Sequence, residues 1–566
     1  MRIAILMLLL VVMTACAPPS RGAGDGPNGA NSPQASPKRI VAAILSDPPA
    51  IVPAVTSGAG LPGQASLFSL VQSGLTQGAN DGTLTPVLAE AVPSIENGLW
   101  TVFPDGRMET TWKIRPTATW HDGTPLTAED VVFAARVERD REVPIPYSLS
   151  YEAVDRVEAV DPHTLVVYWK APFIDADAFS ASNGTSPTAI PMPRHLLEQR
   201  YLDEKGSFVQ LPYWSSEFVG TGPFSLREWG AGTHALLRAN DQFALGRPKI
   251  DEVEARFLAD PSTLGANILA GAVDATLGKS LSLEQAIQLQ DQWRGGRVET
   301  ADSSGILIYP QLINTSPAVV ADVRFRKALM QATDRQQLVD TIMYGRSVVA
   351  DNFFTPSAPE FAGTLDAAVR YPYDVAAASR QIEALGYAKG QDGLYRDSAG
   401  QTLSVEIRTN QVDTNIKTML VVADQWQRMG VKVEPVPMSP ESQTDGAYVA
   451  SYPAFLLYRQ PSDLSGLKRQ HRSQTPLPEN GFRGGNYSRY QDAAFSDLID
   501  RVFRTVPRGE RLELLRQVVH QVTDLLTRMG LFYDVQPTMV ANRLQGVPAA
   551  NNTGGDVWNA HLWDLQ

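Results

Sequence analysis

Residues 120–131, WHDGTPLTAEDV, constrain the local fold more than any other stretch of the chain. The Asp-Gly pair at 122–123 tolerates positive φ angles, and Pro125 fixes the backbone where the chain leaves the turn. Thr127 followed three residues later by Asp130 matches a capping box, and an apolar run begins directly after it. The sequence therefore predicts a tight turn that leads straight into a capped helix.

The length and the charge of the chain limit the classes of protein to which it can belong. A chain of 566 residues is too long for one hydrophobic core, and this length favours about three to four domains. With 49 basic and 61 acidic residues the net charge is -12, which argues against a nucleic-acid partner. The acidity is ordinary for a soluble protein, and a role in attracting cationic solutes is the alternative.

The first 15 residues have the pattern of an export signal. Arg2 precedes an apolar run from Ile3 to Met13, which is well below the ~20 residues needed to cross a bilayer. Cys16, the only cysteine of the chain, follows small residues and resembles the acylated cysteine of bacterial lipoprotein signals. We expect residues 1–15 to be a signal peptide and Cys16 to carry lipid, with a chance cysteine as the alternative. No disulfide is expected within a monomer.

A polar segment follows the predicted lipid anchor. Residues 17–37 contain no bulky apolar side chain, so nothing in them offsets the entropy of ordering. We therefore expect residues 16–37 to be a lipidated cysteine and a flexible tether. A Gly- and Pro-rich linker of this length spans on the order of 25 Å. The expected location is extracytoplasmic, anchored to the cell membrane by a lipid, at the cell surface or in the periplasm.

Strand and helix patterns alternate in the rest of the chain. Residues 40–45 form an apolar run typical of a buried strand, and the apolar residues within 66–77 have close to helical spacing. Residues 100–103 and 108–115 flank a Pro-Asp-Gly turn and predict a β-hairpin, and residues 164–169 predict another strand. This alternation predicts an α/β fold.

Several separated phrases resemble one protein family. The run at 120–131 matches, nearly letter for letter, the hallmark of the family-5 extracellular solute-binding proteins, which include the oligopeptide, dipeptide and nickel receptors of ABC importers. Further phrases of the family occur in the expected order, at 218–243, 323–345, 373–387, 425–434 and 558–564. On the order of these phrases, the chain resembles that family.

The resemblance implies an architecture that composition alone does not. It implies a two-lobe, periplasmic-binding-protein-like α/β fold of type II, in the large class with an extra subdomain, mixed sheets, a hinge and an interlobe cleft. The implied divisions are a first lobe at 38–75, 215–300 and 515–566, an extra subdomain at 76–214, and a second lobe at 301–514.

Patterns that would indicate catalysis or cofactor binding have simpler interpretations. Gly58 to Gly63 has the spacing of a dinucleotide fingerprint, but Pro62 stands where the required helix would run. His121 beside Asp122 resembles an acid/base pair, but both are better interpreted as turn residues. We therefore predict no catalytic residues, no metal site and no cofactor.

The resemblance also suggests which residues line a ligand cleft. A bound peptide needs main-chain partners and a carboxylate for its amino terminus. The stretch corresponding to the family's acidic phrase has no acidic residue before Asp463, and Arg459 there would suit an anionic group, with a surface arginine as the alternative. The predicted cleft residues are Ser57, Gly58, Ala59, Phe455, Leu456, Tyr458 and Arg459.

The predicted function is capture of a peptide or peptide-like small solute between the lobes and its delivery to the membrane permease of an ABC importer. The implied partners are that solute, the permease subunits with a cytoplasmic ATPase, and the membrane through the lipid anchor; a monomer is expected. Two alternatives stay open at this point. One is a secreted hydrolase that uses hidden carboxylates, and the other is a chaperone-like or sensory lipoprotein on the same scaffold.

Overall fold

Short strands alternate with helices through most of the chain. The computed structural model describes residues 36–55, 61–145, 151, 153–182, 189–549 and 555–566. Within these residues the strands, numbered in chain order, are β1 (Arg39–Ile44), β2 (Thr76–Gly78), β3 (Leu84–Pro86), β4 (Trp100–Val102), β5 (Met108–Lys113), β6 (Val154–Asp161), β7 (Thr164–Trp169), β8 (Ala181–Ser182), β9 (Phe224–Gly230), β10 (His234–Ala239), β11 (Glu252–Phe257), β12 (Ala275–Thr276), β13 (Gly296–Pro310), β14 (Ala388–Lys389), β15 (Tyr395–Arg396), β16 (Ser404–Thr409), β17 (Lys432–Pro437), β18 (Phe455–Gln460), β19 (Met529–Ala541), β20 (Leu544–Gln545) and β21 (Asp564–Leu565).

The helices of the same residues are numbered in the same way. They are α1 (Gln64–Val71), α2 (Ala128–Arg139), α3 (Arg194–Asp203), α4 (Pro261–Leu269), α5 (Leu283–Gln290), α6 (Val323–Gln331), α7 (Arg335–Ile342), α8 (Phe361–Thr364), α9 (Val375–Ala384), α10 (Asp413–Met429), α11 (Gly446–Ala450), α12 (Leu464–Lys468), α13 (Ala493–Arg504) and α14 (Arg508–Leu525). Among the described residues, no helix combines the length and the apolar character needed to cross a membrane. All of these elements belong to the unit Lys38–Gln566.

One large mixed sheet runs through this unit. Its ten strands lie in the order β17-β16-β18-β13-β19-β12-β1-β11-β10-β9. The two strands in the middle, β13 with 15 residues and β19 with 13, pair antiparallel from Gly296–Ala541 to Ile308–Met529. β13 then pairs with β18 on one side, and β19 pairs with β12 on the other. These two strands therefore connect the two ends of the sheet.

The two largest hydrophobic cores of the described residues lie along this sheet. The first core packs around β1, β10 and β11 and includes Ile40, Leu237 and Val253. The second core packs around α6, α10 and β16 and includes Phe325, Ile407 and Trp426. β19 contributes Phe532 to the second core and Val540 to the first, so a single strand spans from one core to the other.

A third core belongs to residues that lie outside the large sheet. The strands β4, β5, β7 and β6 form a separate four-stranded antiparallel sheet. The buried side chains of this third core include Trp112, Trp120, Leu165 and Trp169. The predicted hairpin corresponds to β4 and β5, and the predicted strand at 164–169 is β7.

The helix predicted after the turn is α2, and it packs on two cores. Val131 and Ala135 are one turn apart and lie in the third core. Phe133 and Val137 lie about 200° around the helix from them, since each residue advances about 100°, and they pack in the first core. Two opposite faces of α2 therefore join the four-stranded sheet to the first core.

The helix predicted over 66–77 is shorter than its apolar spacing suggested. α1 ends at Val71, and the next residue is extended. Gly74 approaches the backbone so closely that a Cβ there would lie 2.1 Å from the carbonyl oxygen of Ser180. Leu75, whose spacing matched the helix, packs instead in the third core. The chain leaves the helix early because this backbone contact and this core both require an extended segment.

The start of α2 depends on the carboxylate of Asp130. One carboxylate oxygen accepts the N–H of Thr127 at 2.9 Å and the Thr127 hydroxyl at 3.0 Å. The other oxygen accepts the N–H of Arg194, at the start of α3, at 3.0 Å. The side chain is buried, so the predicted cap also joins two helices.

We predict that Asp130→Ala lowers the free energy of unfolding by about 2 kcal/mol, because it removes the cap of α2 and leaves two partly buried N–H groups unpaired. Glu129→Ala, on the same helical turn with a side chain 45% exposed, should change it by less than about 0.5 kcal/mol. Urea unfolding followed by circular dichroism measures both variants. Equal losses in the two variants would contradict the role of the Asp130 cap.

Candidate functional site

The predicted cleft residues near position 457 lie on β18, an inner strand of the large sheet. Successive residues of a strand point to opposite faces. Phe455 therefore shares a face with Leu457 in the second core, whereas Leu456 and Tyr458 lie on the other face with Leu307. The four predicted residues on this strand are thus divided between two surfaces.

Two of these four side chains have no surface for a solute. Phe455 is fully buried, with its ring 5.2 Å from that of Trp426 in an edge-to-face contact. Leu456 is fully buried with Tyr309 and Tyr452. Both side chains support the sheet, and neither lines an open cleft in this structure.

Tyr458 and Arg459, near the end of β18, are less buried than the other residues of the strand. The ring of Tyr458 is half-buried, 5.3 Å from Tyr487, and burial followed by the nearby Tyr487 raises the pKa of Tyr458 to about 12. Arg459 Nη1 donates to Asp534 Oδ2 at 2.9 Å. The side chain of Arg459 is 32% exposed and that of Asp534 is 10% exposed, so the ion pair closes one side of the guanidinium and leaves the other accessible.

The same part of β18 has an open backbone edge. β16 pairs in parallel with β18 only at Phe455, Leu456 and Leu457. Residues 458–460 pair with β13 on one side. On the other side they face no strand among the residues that the structure describes. An extended ligand could pair with the backbone of this edge.

A second basic residue, Lys279, comes near the Arg459–Asp534 ion pair from the β12 side of the large sheet. It follows β12, in which Ala275 pairs antiparallel with Val540 of β19. The chain from Ala275 to Lys279 therefore runs alongside β19 in the direction of Asp534. Lys279 is exposed to solvent, yet partial burial and then the charge of Arg459 lower its pKa, while the charge of Asp534 opposes this change.

The three charged side chains, which we call the Lys279–Arg459–Asp534 cluster, were only partly predictable. Asp534 is the only acidic or basic residue within the apolar sequence of β19, and this feature could have identified it. Lys279 carries no local signal, because only the pairing of β12 with β19 brings it near Arg459.

The remaining predicted cleft residues, Ser57, Gly58 and Ala59, lie outside the described residues. The chain that follows them is held near the cluster: a Cβ on Gly278 would lie 2.6 Å from Cα of Gly63. Cys16 also lies outside the described residues.

His121 and Asp122 do not form an acid/base pair with each other. The N–H of Gly220 donates to His121 Nδ1 at 3.1 Å, and His121 Nε2 lies 3.1 Å from the carbonyl oxygen of Gly222. Asp122 instead accepts from His195 Nε2 at 2.7 Å. Burial lowers the pKa of His121 to about 4, so that its neutral ring holds the loop at 220–222 against the turn.

A metal centre has no candidate ligands in the part of the chain that is described. No group of three or more His, Cys, Asp or Glu side chains that could hold a metal ion occurs there.

Comparisons with known proteins agree on one family. A model of the bacterial extracellular solute-binding proteins, family 5 Middle, matches residues 83–465. The oligopeptide-binding protein AppA of Bacillus subtilis is 23% identical over 440 residues, which cover 77% of this chain and 75% of that protein.

Solved structures resemble the whole fold. HbpA2 from Haemophilus parasuis has a TM-score of 0.75 and 20% sequence identity, and the match covers 93% of this chain and 100% of that one. NikZ from Campylobacter jejuni, in complex with Ni(L-His), has a TM-score of 0.68 and 20% identity over 93% of this chain and 99% of that one. These likenesses confirm the predicted two-lobe α/β fold.

We predict that the stability of the protein falls relative to that of His121→Asn as the pH is lowered from 7 to 5. The folded pKa of His121, about 4, lies below the ~6.5 of an unfolded histidine. The unfolded chain therefore binds this proton first, and the contribution of the neutral ring is lost as the pH falls from about 6.5 to about 4. The expected difference in unfolding free energy between pH 7 and pH 5 is about 2 kcal/mol.

Chemical denaturation at both pH values measures this difference. The matched control is His520→Asn, since His520 is exposed on α14. Parallel pH profiles for the wild-type protein and His121→Asn would contradict the assignment.

Proposed function

Because the chain belongs to the bacterial extracellular solute-binding proteins of family 5, we propose that it captures a peptide or peptide-like small solute for the permease of an ABC importer. The match of the family model to residues 83–465, more than half of the chain, is the observation that carries this proposal. In this function the solute is bound and released without covalent change.

The peptide class is supported by the backbone as well as by a relative. An extended peptide is gripped independently of its side chains when it adds to a strand edge. The open edge of β18 at 458–460 offers such a place beside Tyr458 and Arg459. The relative AppA is named an oligopeptide-binding protein. We place the ligand site at this edge, together with Ser57, Gly58 and Ala59 from the first lobe.

Capture works by closure of two lobes over the solute. We propose that the first lobe consists of 38–75, 215–300 and 515–566, that the extra subdomain is 76–214, and that the second lobe is 301–514. β13 and β19, which join the ends of the large sheet, are suited to serve as the hinge. A solute that contacts both lobes favours the closed form by its differential affinity for that form.

Delivery requires the protein to stay near its permease. We propose that a lipid on Cys16 retains the chain at the membrane, with residues 17–37 as the tether, and that the receptor acts as a monomer. Stable anchoring by acyl chains needs more than one chain, since each buried methylene contributes about 0.8 kcal/mol.

The function predicts closure around an unaltered compound. When tri- to pentapeptide mixtures are added to the purified Cys16→Ser protein, we expect the radius of gyration from X-ray scattering to decrease. Mass spectrometry of the released compounds should return intact peptides. Scattering that stays unchanged with these mixtures and with a metabolite extract would refute solute capture, and recovered fragments would favour the hydrolase alternative.

The anchor predicts a change of location. Cys16→Ser should move the protein from the membrane pellet to the soluble extracytoplasmic fraction, because the acylated sulfur is lost. Ser20→Ala, four residues further along the tether, should leave the protein in the pellet. Fractionation followed by immunoblotting compares the two variants, and Cys16→Ser protein retained in the pellet would disprove the lipid anchor.

A further inference from the structure

We infer that the cleft selects solutes that carry a carboxylate and holds this group between Lys279 and Arg459. This inference rests on the proposed function, because it names the chemical class of the solute and two residues that recognise it.

The charges of the cluster do not balance. Arg459 is paired with Asp534 at 2.9 Å. Among the residues that the structure describes, no carboxylate lies within ion-pair distance of Lys279. The carboxylate of Asp556 contacts Gly278, the residue before Lys279. It accepts from the N–H of Gly278 and from the hydroxyl of Ser66. Two cations and one anion therefore leave an excess of one positive charge.

The excess positive charge of the cluster favours the binding of an anion. Lys279 is exposed to solvent, but the protein around it and then the charge of Arg459 lower its pKa. Two cations that repel each other are stabilised by an anion between them. A carboxylate at this position would offset the repulsion between Lys279 and Arg459.

Arg459 has donors left for such an anion. Nη1 donates one hydrogen bond to Asp534, and its other N–H groups make no hydrogen bond within the described part of the chain. The guanidinium presents its donors as a fork that fits the two oxygens of a carboxylate. Asp534 holds the guanidinium in place and leaves part of it for the solute.

The positions of the two cations connect recognition to closure. Lys279 follows β12, which pairs with β1 of the first core. Arg459 belongs to β18, whose neighbours Phe455 and Leu457 lie in the second core. A carboxylate bound to both cations would therefore contact both halves of the large sheet. A solute without an anionic group lacks this contact and would favour closure less.

The source of the carboxylate is either the end of a peptide or an acidic side chain. Three peptide mixtures of three to five residues distinguish these sources. The first has free carboxyl termini and no Asp or Glu, the second is the same mixture with carboxamide termini, and the third has carboxamide termini and contains Glu. Each mixture is incubated with the full chain carrying Cys16→Ser, and the retained peptides are quantified by mass spectrometry.

The variant that tests the inference is Lys279→Met in the same chain, with Lys432→Met as the matched control. Lys432 is exposed on β17, at the far edge of the sheet from β12. We expect a carboxylate-bearing mixture, the first or the third, to be retained at least tenfold better than the second. Lys279→Met should reduce this preference severalfold or more, and Lys432→Met should preserve it. Thermal unfolding of both variants at the wild-type temperature would show that the fold is intact.

The outcomes separate this inference from the proposed function. Equal retention of all three mixtures would overturn carboxylate selection and leave peptide capture standing. An unchanged preference in Lys279→Met would remove Lys279 from the site. Retention of none of the mixtures would refute peptide capture and this inference together. Preference for the first mixture assigns the terminal carboxylate, and preference for the third assigns an acidic side chain.

Discussion

The antiparallel pairing of β13 with β19 is the constraint on which the rest of this structure depends. The ladder runs from Gly296–Ala541 to Ile308–Met529 and occupies the middle of the ten-stranded sheet. Along β19 the buried side chains pass from the second core to the first, with Phe532 in one and Val540 in the other. Three strands of the sheet lie beyond β13 and five lie beyond β19. The proposed movement of the lobes would therefore be accommodated by these two strands.

A charged residue within the β13–β19 pair, Asp534, links the fold to the proposed function. Asp534 interrupts the apolar sequence of β19, and a buried carboxylate without a partner would destabilise the strand. Arg459 supplies that partner from β18, across β13. The arginine thereby has a fixed position at the edge of the second core. Arg459 therefore pairs with Asp534 of β19 and, in the proposed function, would also contact the solute.

Local patterns in the sequence predicted local structure, but they did not show how a strand distributes its residues between two faces. The turn at 122–123 and the cap formed by Asp130 depend on neighbouring residues, and both occur where the sequence places them. Phe455, Leu456, Tyr458 and Arg459 were predicted to line the cleft, and the alternation of the strand divides them between two faces. Leu75 fitted a helix by its spacing, but the third core takes it into an extended segment.

The sequence by itself determined the family, the α/β class and the caps and turns, because these depend on residues within a few positions of one another or on phrases in a fixed order. Only the tertiary structure decided that Lys279 comes near the ion pair of Arg459 and Asp534. These residues are far apart along the chain, and the pairing of β12, β19, β13 and β18 alone brings them together. Strand register is set by the packing of the whole sheet, so no short segment of the sequence determines that these charged residues lie near one another.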